Sequence, residues 1–141
     1  MTEAGWSLHS QLENDTVPVG NLALCRMVAM NDADYPWLIL VPRRAGVTEI
    51  ADLGDDATLL MAEIAQVSRV LKDVARCDKL NIAAIGNVVP QLHVHIVARR
   101  KNDPLWPKPV WGLAQPRCGE PAAFARFIAA IRSGLGLPLA G

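Results

Sequence analysis

The clearest periodic signal lies in the middle of the chain. Leu60, Ile64, Val67, Leu71 and Val74 recur at three- and four-residue steps, while Glu63, Arg69, Lys72 and Asp73 fall elsewhere on the wheel. That spacing predicts an amphipathic helix with one apolar face. It opens near Gly54-Asp55-Asp56, where acidic residues suit a helix N-terminus, and runs to about Arg76. A helix of that length spans roughly 30 Å and can cover one face of a sheet.

Short β-rich runs flank it. Residues 22–30 read as a strand, Asn31-Asp32-Ala33-Asp34 as a turn, and Trp37-Leu38-Ile39-Leu40-Val41 as a strand stopped by Pro42. Two strands joined so closely predict a hairpin and an antiparallel sheet. Residues 80–85 read as a third strand. Gly86-Asn87 turns the chain, Pro90 limits pairing, and residues 91–98 form the strand that follows. Residues 103–118 hold four prolines and two tryptophans and read as ordered but irregular. Residues 121–135 read as a second helix, with Phe124, Phe127, Ile128 and Ile131 inward, Pro121 in its first turn, and Gly134 and Gly136 marking its end. The first 20 residues are polar and turn-rich, an N-terminal arm with one short helix around residues 7–13. The sum is an α+β chain, expected to be a single domain over residues 1–141.

Composition narrows the choice of partner. Fourteen basic residues balance 14 acidic ones, so no broad basic face is expected for a nucleic-acid polymer. The one basic run, Arg99-Arg100-Lys101, reads as a solvated strand end rather than a phosphate clamp. Cys25, Cys77 and Cys118 are odd in number and far apart, which fits free thiols in a reducing, cytoplasmic setting. The N-terminus lacks a basic start and an apolar core of the signal-peptide kind. The longest apolar run, residues 35–42, is too short to cross a bilayer.

Candidate chemistry concentrates in Gln91-Leu92-His93-Val94-His95-Ile96-Val97. In a strand, Leu92, Val94, Ile96 and Ala98 face one way and meet the core. Gln91, His93, His95, Val97 and Arg99 face the other. Two of the chain's three histidines thus share one polar face. Three readings compete. The residues can be ordinary polar groups on a solvated sheet face. They can be half of a metal site, for which His9, Asp103 or Cys118 would have to supply further ligands. Or a neutral imidazole can attack phosphorus and form a phospho-histidine intermediate, with its neighbours fixing the tautomer and the charge on the phosphoryl oxygens.

The seven residues resemble the motif of the histidine triad (HIT) superfamily, His-φ-His-φ-His-φ-φ with φ apolar. The hairpin ending in Ile39-Leu40-Val41-Pro42-Arg43-Arg44, the long helix, the strand before the motif and Trp106-Pro107 after it agree in order. The resemblance covers roughly residues 20–112. It implies a five-stranded antiparallel sheet with a long helix and a C-terminal helix, paired into a homodimer across a continuous sheet. It implies hydrolysis or transfer of nucleotidyl groups from phosphoramidates, dinucleoside polyphosphates or adenylates, with a purine nucleotide as substrate and no cofactor or obligatory metal. His93 stands at the nucleophile's position and His95 at that of the phosphate-binding histidine. Gln91 replaces the first histidine and is expected to hold the His93 ring through its side chain. Asn87 stands where relatives often have a phosphate-contacting Gln, and Val88 where they have Ser or Thr. Asn31 and Asp32 are ordinary turn residues or, as in some relatives, ribose ligands. Trp106 and Trp111 either close over the site or pack in the core. A nucleotide-binding regulatory protein with weak catalysis is the alternative from another class, and a metal-binding protein a third.

Overall fold

Leu60, Ile64, Val67 and Leu71, the stripe expected on the long helix, are all buried and form the floor of the main core. The computed structural model describes residues 4–115 and 117–138. In chain order these form α1 (Ser10–Asp15), β1 (Thr16–Asn21), β2 (Cys25–Met30), β3 (Trp37–Pro42), a 3-10 turn (Ile50–Leu53), α2 (Asp56–Ala75), β4 (Lys79–Ala83), β5 (Val94–Arg99) and α3 (Pro121–Gly134). The strands make one five-stranded sheet in the order β1-β2-β3-β5-β4, with every neighbouring pair antiparallel. This is the α+β architecture expected from the sequence.

The arm departs from expectation. Residues 16–20 form part of an edge strand, not a loop. Val17-Pro18-Val19-Gly20 has the composition of a turn, yet Val19 is fully buried in the main core. The register of β1 against β2 shifts between Pro18 and Gly20. A proline is tolerated at such an edge irregularity, because no continuous ladder requires its missing N–H.

The sheet separates two apolar layers. On one face Met27, Leu38, Leu40, Val94, Ile96 and Ala98 meet α2, with Ile131 of α3 closing the end. On the other, Val28, Trp37, Ile39, Val41 and Val97 meet Leu12 of α1, Val89 and Val110. The face that carries His95 is therefore largely covered, by the arm and the proline-rich segment, which removes the reading of ordinary polar groups on a solvated sheet face. The alternation read from the sequence still holds, since Ile39 pairs with His95 and Leu38 with Ile96.

Two polar residues support this frame. Glu63, which lies off the apolar stripe of the helix, is nevertheless buried and accepts hydrogen bonds from the Leu24 and Cys25 amides at 2.8 and 2.9 Å. It satisfies N–H groups that the tight β1–β2 connection would otherwise strand. Arg99 also overturns its reading as a solvated strand end. It is 1% exposed and bonds Asp103 in a fork, at 2.7 and 3.0 Å, with Asn81 as a further acceptor at 2.9 Å. Its neighbour Arg100 donates to the Ala75 carbonyl near the end of α2.

Candidate functional site

His93 precedes the strand expected to carry it. β5 begins at Val94, because β3 pairs no further than Leu40 with Val94 and β4 ends opposite His95. Ahead of that point Leu92 N–H turns to the Val47 carbonyl at 3.0 Å. His93 is thus anchored on both sides but free of the ladder. The residue is 6% exposed, and its ring stands 5.0 Å, centroid to centroid, from that of His95.

The two imidazoles hold opposite tautomers. Nδ1 of His93 lies 2.7 Å from the main-chain carbonyl oxygen of Gln91. A carbonyl can only accept, so Nδ1 carries a proton, and in the neutral ring the lone pair is on Nε2. Nδ1 of His95 lies 3.0 Å from the indole nitrogen of Trp37. An indole N–H can only donate, so this Nδ1 is unprotonated and the proton of neutral His95 sits on Nε2. One ring offers an electron pair and its neighbour offers a hydrogen bond. Burial pushes the His95 pKa down from 6.5 to about 4, and the adjacent His93 adds to the effect. His95 therefore stays neutral near pH 7.

Trp37 and Trp111 frame His95 edge-on, with ring centroids 5.8 and 5.6 Å away. Trp111 thus lies at the site. Trp106 does not share that place: Arg99 stacks over its ring at 5.7 Å. A groove of about 680 Å³ opens in front of the two histidines. Asn87, Val88 and Val89 line it from the loop after β4, Trp111 from the proline-rich segment, and Gln11, Leu12 and Asp15 from α1. Val88 is 85% exposed and projects from its loop. A second hollow of about 290 Å³, bounded by Glu49, Ile50, Ile85 and Leu92, reaches His93 as well.

The Gln91 side chain is placed differently from expectation. Its Oε1 accepts from His9 N–H and its Nε2 donates to the Ser7 carbonyl, both at 2.9 Å. The hold on His93 comes from the main chain of Gln91. Asn31 and Asp32 stay in the turn, where Asn31 accepts from Gly119 N–H at 3.1 Å and Asp32 from Asp34 N–H at 2.8 Å. They line a different hollow, beside α3. The residues considered for a metal site are dispersed to other tasks. Asp103 is held by Arg99, and the His9 ring caps α1 by accepting from Gln11 N–H at 3.0 Å. Among the described residues no three His, Cys, Asp or Glu side chains gather at ligand spacing. The three thiols are free, and no helix among the described residues is long and apolar enough to cross a membrane.

Trp37 and α1 are the parts of the site that the sequence did not reveal. Trp37 falls on the face of β3 that carries Ile39, the partner of His95, so a known register would have placed it near the histidines. Nothing in the arm's own pattern signals that it walls a groove.

Comparison with known proteins identifies the family and the fold. The family model described as HIT domain matches residues 11–102. Three crystal structures of histidine triad proteins are closely similar. That from Bradyrhizobium japonicum is 53% identical, with a TM-score of 0.89, over 92% of this chain and 97% of the other. That from Sinorhizobium meliloti 1021 is 42% identical, with a TM-score of 0.90, over 94% and 99%. That from Marinobacter aquaeolei VT8 is 39% identical, with a TM-score of 0.88, over 93% and 96%. Comparison with proteins of curated function returned no match.

Proposed function

Because this chain belongs to the HIT domain family, whose membership supports nucleotide-related hydrolase or transferase chemistry in general, we propose that it cleaves a nucleotide substrate through a covalent nucleotidyl-His93 intermediate. The observation that carries this reading is the 2.7 Å bond from His93 Nδ1 to the Gln91 carbonyl. It leaves Nε2 as the nucleophilic nitrogen without any prior proton transfer.

In the first step Nε2 attacks the α-phosphorus of a purine nucleoside phosphoramidate, dinucleoside polyphosphate or adenylate. An N–P bond forms, the bond from phosphorus to the leaving group breaks, and the leaving group takes its proton from water in the open groove. The phosphorylated ring gains positive charge, which the Gln91 carbonyl stabilises through Nδ1–H. His95 Nε2–H donates to a phosphoryl oxygen, and Asn87 adds a polar contact from its loop. Water then attacks phosphorus and gives up a proton to solvent, the N–P bond breaks, and the nucleoside monophosphate leaves. The two hollows that meet at His93 give room for the nucleotide on one side and the leaving group on the other. A homodimer is part of the same reading. β4 is an edge strand, and it exposes Ile82 with Ile85 just beyond it; a second copy pairing there would cover both.

Rapid quenching with adenosine 5′-phosphoramidate, followed by mass spectrometry, tests the mechanism. A nucleotidyl adduct on the native chain, absent from His93→Ala, together with released AMP, is the expected result. AMP release that persists in His93→Ala within a few-fold of native would sink it. Val88, which supplies no hydroxyl, favours a second reading as a nucleotide-binding regulatory module. Tight AMP binding with neither adduct nor product would select that one.

A further inference from the structure

The bond that orients His93 comes from the main-chain carbonyl of residue 91, which any side chain at that position would leave in place. The side-chain amide of Gln91 is then available for something else, and both of its ends are engaged by the arm. Oε1 accepts from His9 N–H and Nε2 donates to the Ser7 carbonyl, across 82 and 84 residues of chain. One amide thus ties down the N–H of one arm residue and the carbonyl of the residue two before it. Immediately beyond the clasp, the His9 ring caps α1 and Glu13 N–H bonds the His9 carbonyl at 3.0 Å. Fixing residues 7–9 therefore fixes where α1 begins. Leu12 of that helix is buried against the sheet, while Gln11 and Asp15, joined by a 2.8 Å hydrogen bond, line the groove shared with His93 and His95.

We infer that Gln91 is a positioning residue for substrate binding: its side chain clasps the N-terminal arm so that α1 stands as a wall of the nucleotide groove. The inference rests on the nucleotide reading above. It makes Gln91 act on affinity, through the arm, and not on the reaction at His93. It also assigns the arm, a segment of six-residue helix and extended chain, to the binding site.

Steady-state kinetics with adenosine 5′-phosphoramidate and amide hydrogen exchange on the full chain test it together. Gln91→Ala and Gln91→His are both expected to raise KM on the order of tenfold, the effect of losing about 1.4 kcal/mol of binding, with kcat within about twofold of native. Exchange at His9 and Glu13 should quicken in both. A drop in kcat at unchanged KM would show that the side chain serves the chemical step and overturn the inference. Unchanged exchange in the arm would overturn it too. If the native chain binds AMP without turning over, calorimetry replaces kinetics: tenfold weaker AMP binding by Gln91→Ala supports the clasp, and equal affinity refutes it. AMP that fails to bind the native chain overturns the nucleotide reading and this inference with it.

Discussion

Trp37 donates its indole N–H to Nδ1 of His95 across 3.0 Å, joining residues that lie 58 positions apart. The bond decides which nitrogen of His95 is free to act. Trp37→Phe keeps an aromatic ring at that place and removes the donor, so His95 would populate both tautomers. Turnover of adenosine 5′-phosphoramidate should fall about tenfold in kcat, the effect of losing one hydrogen bond of roughly 1.4 kcal/mol. Nitrogen-15 spectra of the His95 ring give the independent check. A single Nε2–H tautomer in the variant would show that Trp37 does not set it.

The same ring makes stability depend on pH. His95 titrates at about 4 in the folded chain and at its ordinary 6.5 when unfolded, because burial and then His93 disfavour the charged form. Between those values the unfolded chain binds a proton that the folded chain refuses. Stability is complete above pH 6.5 and declines as pH falls toward 4, by up to about 3 kcal/mol from this residue. Denaturant midpoints at pH 7 and pH 4.5 measure the loss. Replacing His95 with Asn should flatten the dependence; an equally steep decline in that variant would place its origin elsewhere.

Arg99 and Asp103 form a pair buried to 1% and 5% exposure of their side chains. Asp103 also accepts from the Arg100, Leu105 and Trp106 amides. Asp103→Ala would strand a guanidinium inside the protein and release the start of the proline-rich segment. The expected cost is about 3–5 kcal/mol, read as a lower urea midpoint. A loss under about 1 kcal/mol would mean the pair is solvated in practice.

Gly134 of α3 lies so close to α2 that an added Cβ would sit 2.6 Å from Cγ1 of Val70. Gly134→Ala should therefore destabilise the chain by about 1–3 kcal/mol through overpacking. Combining it with Val70→Ala should cost less than the sum of the two single changes. Strict additivity in thermal melts would argue against the contact.

Much of the fold was legible because its signals are local. The spacing of Leu60, Ile64, Val67 and Leu71 named the helix face that is buried, and the alternation of Leu92, Val94, Ile96 and Ala98 named the core side of the motif strand. The alternation also put His93 and His95 together on the opposite side, and the resemblance to the HIT motif then named His93 as the nucleophile candidate. What failed also had physical causes. Residues 16–20 have turn composition but gain their partner from β2, so only pairing makes them a strand. Arg99 reads as a surface charge until the chain folds back and brings Asp103 to it.

By itself, then, the sequence determined the α+β class, the helix and strand periods, and the residue types that could perform phosphorus chemistry. Those depend on neighbours a few residues apart. The tertiary structure decided which nitrogen of each histidine is free, what the Gln91 amide holds, and which segments wall the groove. Each of these is set by a donor or acceptor whose direction is fixed by the local fold, and for Trp37 and the arm that group comes from a distant part of the chain. Sequence spacing carries no record of such directions.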